Sequence, residues 1–407
     1  MTDRPGVLVV GGSVAGLRTA EALRRLSYPG PVMILEASDD LPYDRTMLSK
    51  KVLSADGAAV SARLRSQEDL DRLGIEFRRR SRARLLDTAR RTVYLADGSA
   101  IPYSVLIIAT GSDTRQLPDV PRTAVHYLRT LAEARILRQA MESARRAVVV
   151  GAGFIGCEVA AAISARGADV TMVEPAGFPL GRVLGDVIGA RLADMHESRG
   201  IRLVLGRAVT AVRESGTAPA TVRTTAAVVL DDGTSLDSDL VIVGVGALAN
   251  TEWLDGSGVG VADGVLCDEF CRVAGASDVF AVGDVARWPN SLFAGSMRVE
   301  HWTNAIEQAV VVARNIVSPD APRAYAPVPY VWSDQHGIRL QIVGRPEPDD
   351  EVRIVEDDPA NAVLVALYIR QGGLSGAFTM NAPSRAVALR KSLAARAPLE
   401  QALQVLA

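Results

Sequence analysis

Two stretches of this chain share one pattern, and together they narrow its fold more than any other feature. VLVVGGSVAGLRTAEALRRL spans Val7–Leu26, and VVVGAGFIGCEVAAAI spans Val148–Ile163. Each runs from an apolar strand through a glycine turn into a helix with apolar spacing. In such a turn the first glycine allows the tight bend, the second lets a pyrophosphate approach the backbone, and the third lets helix and strand pack closely. The free N–H groups of the helix N-terminus then favour an anion. Gly11, Ser13 and Gly16 hold these positions in the first copy, with Gly12 between them and the small Ala15 beside them. Serine has the smallest polar side chain and can donate to phosphate, so the turn is expected to survive the substitution. Gly151, Gly153 and Gly156 hold the second copy in full register.

An acidic residue closes each copy. Glu36 lies 20 residues after Gly16, and Glu174 lies 18 residues after Gly156, each at the end of its unit's second strand. A carboxylate there can hold a ribose hydroxyl. The internal repeat therefore predicts two dinucleotide sites, most simply for FAD and a nicotinamide nucleotide. VFAVGDVA, Val279–Ala286, assigns FAD to the first unit. It is a short strand ending in Gly283-Asp284, where a carboxylate can accept hydrogen bonds from a ribityl chain. Ala109-Thr110-Gly111 ends a returning strand and is expected on the flavin side.

The remaining elements follow from periodicity. Strands are expected at Val7–Val10, Val32–Leu35, Val105–Ala109, Ala147–Val150, Val170–Val173, Ile201–Leu205, Thr221–Leu230 and Leu240–Val245, with helices at Leu17–Leu26, Leu131–Arg145, Cys157–Arg166 and Asn304–Ile316. Arg91–Asp97 reads as a hairpin strand before Gly98, and Asp231-Asp232-Gly233 as a turn between two strands. Pro319–Pro329 reads as a linker. Beyond it come strands Val331–Val343, Val352–Val355 and Ala362–Arg370, a turn at Gly372-Gly373, a strand to Thr379 and a helix, Ser384–Ala395. The fold class is α/β, with two Rossmann-like dinucleotide-binding domains and a C-terminal α+β domain.

Net charge is −2, which gives no global attraction to nucleic acid or anionic membranes, and no apolar run is long enough to span a bilayer. No signal peptide fits ahead of a strand that begins near Val7. The three cysteines, Cys157, Cys267 and Cys271, are too few for a disulfide framework and fit a reducing cytoplasm. Cys267 and Cys271 have no second ligand cluster nearby, and His126, His196 and His336 lack metal spacing, so no metal is expected and these histidines read as structural.

Beyond the glycine motifs the chain resembles bacterial NADH–ferredoxin reductases of the putidaredoxin reductase type, within the pyridine nucleotide–disulfide reductase fold. The specific segments are LPYDRTMLSK (Leu41–Lys50), RVEHWTNA (Arg298–Ala305) and PYVWSDQHG (Pro329–Gly337), supported by ATGSDTRQLP (Ala109–Pro118) and VGDVA (Val282–Ala286). Three positions depart from the family pattern. Ser13 replaces a glycine, Thr46-Met47 replace two prolines and are expected to loosen the loop before Lys50, and Cys157 replaces leucine.

The resemblance implies an FAD domain in two segments, 1–111 and 244–318, an inserted NAD domain, 112–243, and a C-terminal domain, 319–407. It implies that Arg45, Lys50, the Ala83 backbone, Arg129, Asp284, Glu300, His301, Trp302 and Trp332 line FAD. Gly151, Gly153, Ile155, Gly156, Glu158, Glu174, Arg182 and Gly246 would serve NADH, Arg182 being the nearest arginine after Glu174. The implied reaction is hydride transfer from NADH to the flavin, then single-electron steps to a two-iron two-sulfur ferredoxin that supplies a haem monooxygenase or ring-hydroxylating oxygenase. Lys50 would favour the reduced, anionic flavin, and Glu158, in the first turn of the second nucleotide helix, would pair with it across the domain boundary. Glu174 implies NADH over NADPH, because it would repel a 2′-phosphate.

Two other functions compete. An NADH oxidase, peroxidase or disulfide reductase needs a redox cysteine near the flavin, but no cysteine precedes Cys157. A redox signalling protein of the apoptosis-inducing-factor type would hold a long-lived reduced complex. At the surface, arginines crowd Arg72–Arg91 and carboxylates crowd Glu347–Asp358. Such runs are expected to be solvated faces, and Arg298, beside the flavin motif, is the better candidate for docking an acidic ferredoxin.

Overall fold

A computed structural model describes residues 5–54, 61–120, 122–215 and 225–406. The first four residues of the expected strand Thr221–Leu230 lie outside them. The chain divides into two compact units. One comprises Met1–Asp44, Ala62–Asp113 and Leu248–Val331, the other Arg45–Ser61, Thr114–Ala247 and Trp332–Ala407.

In the first unit a parallel sheet runs in the order Ala276–Ala281, Val105–Ile108, Val7–Val10, Val32–Leu35 and Ile75–Arg78, with Arg272–Val273 added antiparallel at one edge. Val7–Val10 pairs on both sides, with Val7 opposite Val32 and Val105. Its residues are all buried, as expected of a central parallel strand covered on both faces. Helix Val14–Arg25 follows directly and packs beside helix Trp302–Val317. The sheet thus delivers the first glycine turn and Gly283-Asp284 at the C-terminal ends of its strands, where open α/β sheets bind ligands.

The second unit repeats the plan. A parallel sheet orders Arg202–Leu205, Asp169–Glu174, Arg146–Val150 and Leu240–Val243, and helix Phe154–Ser164 follows the second glycine turn. A five-stranded antiparallel sheet forms the C-terminal portion, ordered Tyr330–Gln335, Ile338–Gly344, Gly373–Met380, Val363–Arg370 and Glu351–Asp358. Helix Pro383–Ala394 packs on two of its strands.

Four differences from the sequence reading have physical causes. The apolar run Val331–Val343 is two strands, because His336 and Gly337 both take positive φ, 52° and 78°, and close a hairpin. Helix Gly181–Glu197 was hidden because Gly185, at φ 67° and ψ −173°, interrupts its periodicity. Strands Val209–Ser215 and Ser235–Ser238 form an antiparallel sheet with Thr225–Leu230, so the Asp231–Gly233 turn leads into a strand that was not expected. The proline-rich segment is no free linker. Tyr325 is buried, its N–H donates to the Glu269 carbonyl, and its own carbonyl accepts from Trp288 Nε1 at 3.1 Å.

Candidate functional site

The two glycine turns have the same internal geometry. Gly11 and Gly151 take φ of 113° and 98°, and a Cβ on either would sit 2.2 or 2.4 Å from the carbonyl oxygen of Ala109 or Gly244. Only glycine fits such a bend. Gly153 is different. It caps helix Phe154–Ser164 at an ordinary φ of −77°, and a Cβ there would meet nothing within 4 Å. Its missing side chain serves no packing within the protein and leaves room for an approaching pyrophosphate. Ser13 holds the equivalent N-cap position of helix Val14–Arg25 and makes no side-chain cap, so the helix N–H groups stay available for an anion.

Each acidic partner is bound to its own turn. Glu36 Oε2 accepts from Gly12 N–H at 3.0 Å and Oε1 from Ser38 N–H at 2.8 Å. Glu174 Oε2 accepts from Ala152 N–H at 2.7 Å and Oε1 from Ala176 N–H at 2.9 Å. The carboxylates are thus oriented across the mouth of each turn, where a ribose would reach them. Arg182 lies 3.6 Å from Glu174 Oε1 and is otherwise exposed. Ile155 follows the turn on an exposed face, and Gly246 takes a φ of 106°.

In the first unit, Thr110 Oγ1 donates to the Asn250 carbonyl at 2.8 Å and Asn250 Nδ2 returns the bond at 3.0 Å, which fixes Ala109–Gly111. Gly283 N–H donates to buried Gln308 Oε1 at 2.7 Å, and Ser112 Oγ donates to Asp284 Oδ2 at 3.2 Å. Asn250 and Gln308 carried no sequence signal, being single polar residues outside any motif; Ser112 lies within ATGSDTRQLP, where nothing in the spacing marks it as a partner of Asp284. His301 precedes helix Trp302–Val317, and its Nδ1 is buried without a hydrogen-bond partner among the described residues. Burial pushes His301 down to about 4 against the opposing pull of Asp284, so the imidazole is neutral and its nitrogen awaits a polar group from outside the protein. Glu300 and Trp302 flank it, and Ala83 opens strand Ala83–Asp87. The open helix N-terminus, the tethered Asp284 and the orphaned His301 nitrogen fit a phosphate-bearing, hydrogen-bonding cofactor such as FAD.

Arg298 is not the exposed, uncaged cation that the sequence suggests. Its side chain is 11% exposed; Nε binds Asp263 Oδ1 at 2.9 Å, Nη1 binds the Asp284 carbonyl at 3.0 Å, and Glu300 completes the cage. Two carboxylates offset its charge inside its own unit, and the carbonyl ties it to the Asp284 turn. The arginine run at Arg72–Arg91 is mostly satisfied locally: Arg78 pairs with Glu76, Arg79 and Arg80 with Asp39, and Arg91 with Asp278.

Arg45, Lys50, Arg129 and Trp332 belong to the second unit. Arg45 starts a 3-10 turn, Arg45–Met47, that runs straight into a π-helical turn, Leu48–Val52. Thr46-Met47 therefore join a helical turn and do not loosen a loop. Arg129 N–H donates to Glu133, the acidic member of a capping box with Thr130. The Trp332 ring lies under the Arg339 guanidinium, 6.0 Å from its centroid. The π-turn brings Lys50 Nζ to 2.8 Å from Glu158 Oε1 and 2.9 Å from Oε2. Ser49 Oγ also donates to Glu158, as do Ser333 Oγ at 2.6 Å and Asp334 N–H at 3.3 Å. The sequence reading named the ion pair but not the two serines.

All three cysteines are free, and burial raises each thiol, Cys267 to about 12 and buried Cys157 and Cys271 well above the ordinary value. None is poised as a thiolate. No cluster of three metal-ligating side chains occurs among the described residues, and no helix among them is long and apolar enough to cross a membrane.

The doubled turn, its paired carboxylates and the Gly283-Asp284 end define a flavin- and pyridine-nucleotide-binding oxidoreductase. Residues 5–309 match the family described as Pyridine nucleotide-disulphide oxidoreductase, and residues 330–405 match Reductase C-terminal. The chain belongs to the pyridine nucleotide-disulphide oxidoreductase family, whose members use FAD and NAD(H). It is 35% identical over 393 residues to the ferredoxin–NAD(+) reductase component of an anthranilate 1,2-dioxygenase system from Burkholderia cepacia, covering 96% of this chain and 94% of that one. It is similar to the ferredoxin reductase for the CYP199A2 system of Rhodopseudomonas palustris, with TM-score 0.89, 36% identity and coverage of 98% and 97%. The covalent putidaredoxin reductase–putidaredoxin complex matches at TM-score 0.90 and 30% identity, covering 97% of this chain and 94% of that one.

Proposed function

We propose that this chain is an NADH-dependent ferredoxin reductase, taking hydride from NADH and passing single electrons to a two-iron two-sulfur ferredoxin that feeds an oxygenase. Relatives named as reductase components of oxygenase systems support the reading. The observation that carries it is the Lys50–Glu158 pair, which sets a cation beside the second nucleotide helix in a chain with no activated thiol among its described residues; because that helix begins at Phe154, Glu158 lies one turn in and not in the first turn that the sequence suggests. Bound FAD supplies hydride acceptance and one-electron release. The protein's part is to bind and orient. Ser13 and the first helix N-terminus hold phosphate, Glu36 holds ribose, Asp284 holds the ribityl chain, and His301 offers its buried nitrogen. Gly151, Gly153, Gly156 and Glu174 hold the nicotinamide nucleotide. The Lys50 ammonium favours anionic, reduced flavin, and Glu158 holds that ammonium in place.

The domain assignment remains FAD at 1–111 and 244–318, NAD at 112–243 and a C-terminal domain at 319–407. Three free cysteines favour a reducing cytoplasm. The deciding experiment reduces the holoenzyme anaerobically with one equivalent of NADH and mixes it with oxidised two-iron two-sulfur ferredoxin in a stopped-flow instrument. Fast flavin reoxidation with reduction of the iron–sulfur centre is expected. Flavin that stays reduced with several such ferredoxins but reoxidises with oxygen or peroxide would overturn the reading in favour of an oxidase.

A further inference from the structure

Glu158 is not the end of its polar network. Ser333 is 1% exposed and Gln335 and His196 are 0% exposed, so every polar atom they carry must find a partner inside the protein. Gln335 Nε2 lies 3.0 Å from Ser333 Oγ, His196 Nε2 lies 3.1 Å from Gln335 Oε1, and His336 Nε2 lies 3.0 Å from His196 Nδ1. The chain joins the π-turn, the second nucleotide helix, the end of helix Gly181–Glu197 and the hairpin turn at His336, all within the second unit.

The proton directions follow from donor and acceptor chemistry. A carboxylate only accepts, so the single Ser333 proton goes to Glu158. Ser333 Oγ then accepts from the Gln335 amide, whose oxygen faces His196. Burial, reinforced by His336, pushes His196 down to about 4, so the ring is neutral and carries one N–H. That N–H must be at Nε2, which leaves Nδ1 to accept from His336 Nε2. Every donor in the series points toward Glu158. Bonds aligned in one direction polarise one another. The Gln335 amide is a poor proton carrier, so the series orients Glu158 and does not conduct protons to it.

We propose that Ser333, Gln335, His196 and His336 are positioning residues for the Lys50–Glu158 pair, their one-way hydrogen-bond series locking the Glu158 carboxylate where it holds the Lys50 ammonium. This rests on the role given to that pair above.

The test uses FAD-loaded protein and two readouts. In stopped flow, Ser333→Ala is expected to lower the limiting rate of NADH-driven flavin reduction about tenfold with little change in half-saturation, as loss of one hydrogen bond to a charged group would. Ser333→Thr, which keeps the hydroxyl, restores the rate. His336→Ala, at the half-buried outer end, should fold without difficulty and slow the step about threefold. In histidine-selective nitrogen-15 NMR, His196 should show the Nε2–H tautomer, and Glu158→Gln should displace its resonance. Wild-type limiting rates in both Ser333→Ala and His336→Ala, or a His196 signal indifferent to Glu158→Gln, would overturn the proposal. Glu158→Gln in the same kinetic assay separates the two failures. If it is slow while the series variants are not, only the positioning series falls. If it too runs at the wild-type rate, the role of the pair falls, and the series with it.

Discussion

Lys50 donates to both carboxylate oxygens of Glu158, at 2.8 and 2.9 Å, and Glu158 is sealed from solvent at 3% exposure. The two residues stand 108 positions apart, on a π-turn and a nucleotide-binding helix. Removing one member of such a pair strands the other charge. Lys50→Met keeps the length of the side chain and removes its cation, while Ser49, Ser333 and the Asp334 N–H still hold Glu158. Flavin reduction by NADH in a single turnover is expected to slow at least about tenfold, which is about 1.4 kcal/mol of barrier. A rate equal to wild type would remove Lys50 from the reaction.

Glu174 should set nucleotide preference. Its two oxygens are aimed by Ala152 and Ala176 N–H groups, so the carboxylate cannot swing aside to admit a 2′-phosphate without losing both bonds. Arg182 pairs with it at 3.6 Å and is largely solvated. Like charges brought together at a binding surface cost several kcal/mol, so kcat/KM for NADH should exceed that for NADPH by about a hundredfold. Glu174→Ala should narrow the gap mainly through NADPH. Equal kcat/KM for the two nucleotides in the wild type would show that Arg182 has taken over recognition.

The parts of the fold legible in the sequence were those with a strong local rule. The strands Val7–Val10 and Val32–Leu35 were read to the residue, because buried parallel strands are unbroken apolar runs. The Lys50–Glu158 pair was legible only through the resemblance, since no spacing rule links residues so far apart. Ser333, Gln335 and His196 were not legible as a series: the first two sit in the PYVWSDQHG segment with no spacing rule to pair them, and His196 lies on a helix, Gly181–Glu197, that the sequence did not reveal. The cage around Arg298 was not legible, because an arginine beside a flavin motif looks exposed until Asp263, Glu300 and the Asp284 carbonyl are placed around it.

The cage around Arg298 changes what its substitution should do. Its guanidinium holds the Asp284 backbone at 3.0 Å and neutralises Glu300. Arg298→Ala would leave that turn less constrained and take the paired cation from Glu300, while Asp263 keeps Arg287. FAD should dissociate about tenfold more readily in an equilibrium flavin-release assay, as expected for loss of a charge-assisted hydrogen bond. Ferricyanide and ferredoxin reduction should fall together, in proportion to flavin content. Loss of ferredoxin reduction alone, with flavin retained, would return Arg298 to the docking surface.

Acid should destabilise the protein through its buried histidines, with a sign that the geometry fixes. His196 lies at 0% exposure with Nδ1 committed as an acceptor, and it is pushed down from 6.5 to about 4 chiefly by burial. A depressed folded-state value means that the unfolded chain binds the proton first. The stability held by neutral His196 is therefore complete above about pH 6.5 and is lost as pH falls through about 4. Between about pH 7 and about pH 4.5 the loss from this one residue amounts to roughly 2 kcal/mol. His301, also lowered to about 4, adds a loss of the same sign. His196→Gln cannot take up that proton, so its urea midpoint should decline less steeply with acid than that of the wild type, whatever the two values at neutral pH. Parallel declines would mean that His196 is protonated equally in both states and that its ring does not need to be neutral in the fold.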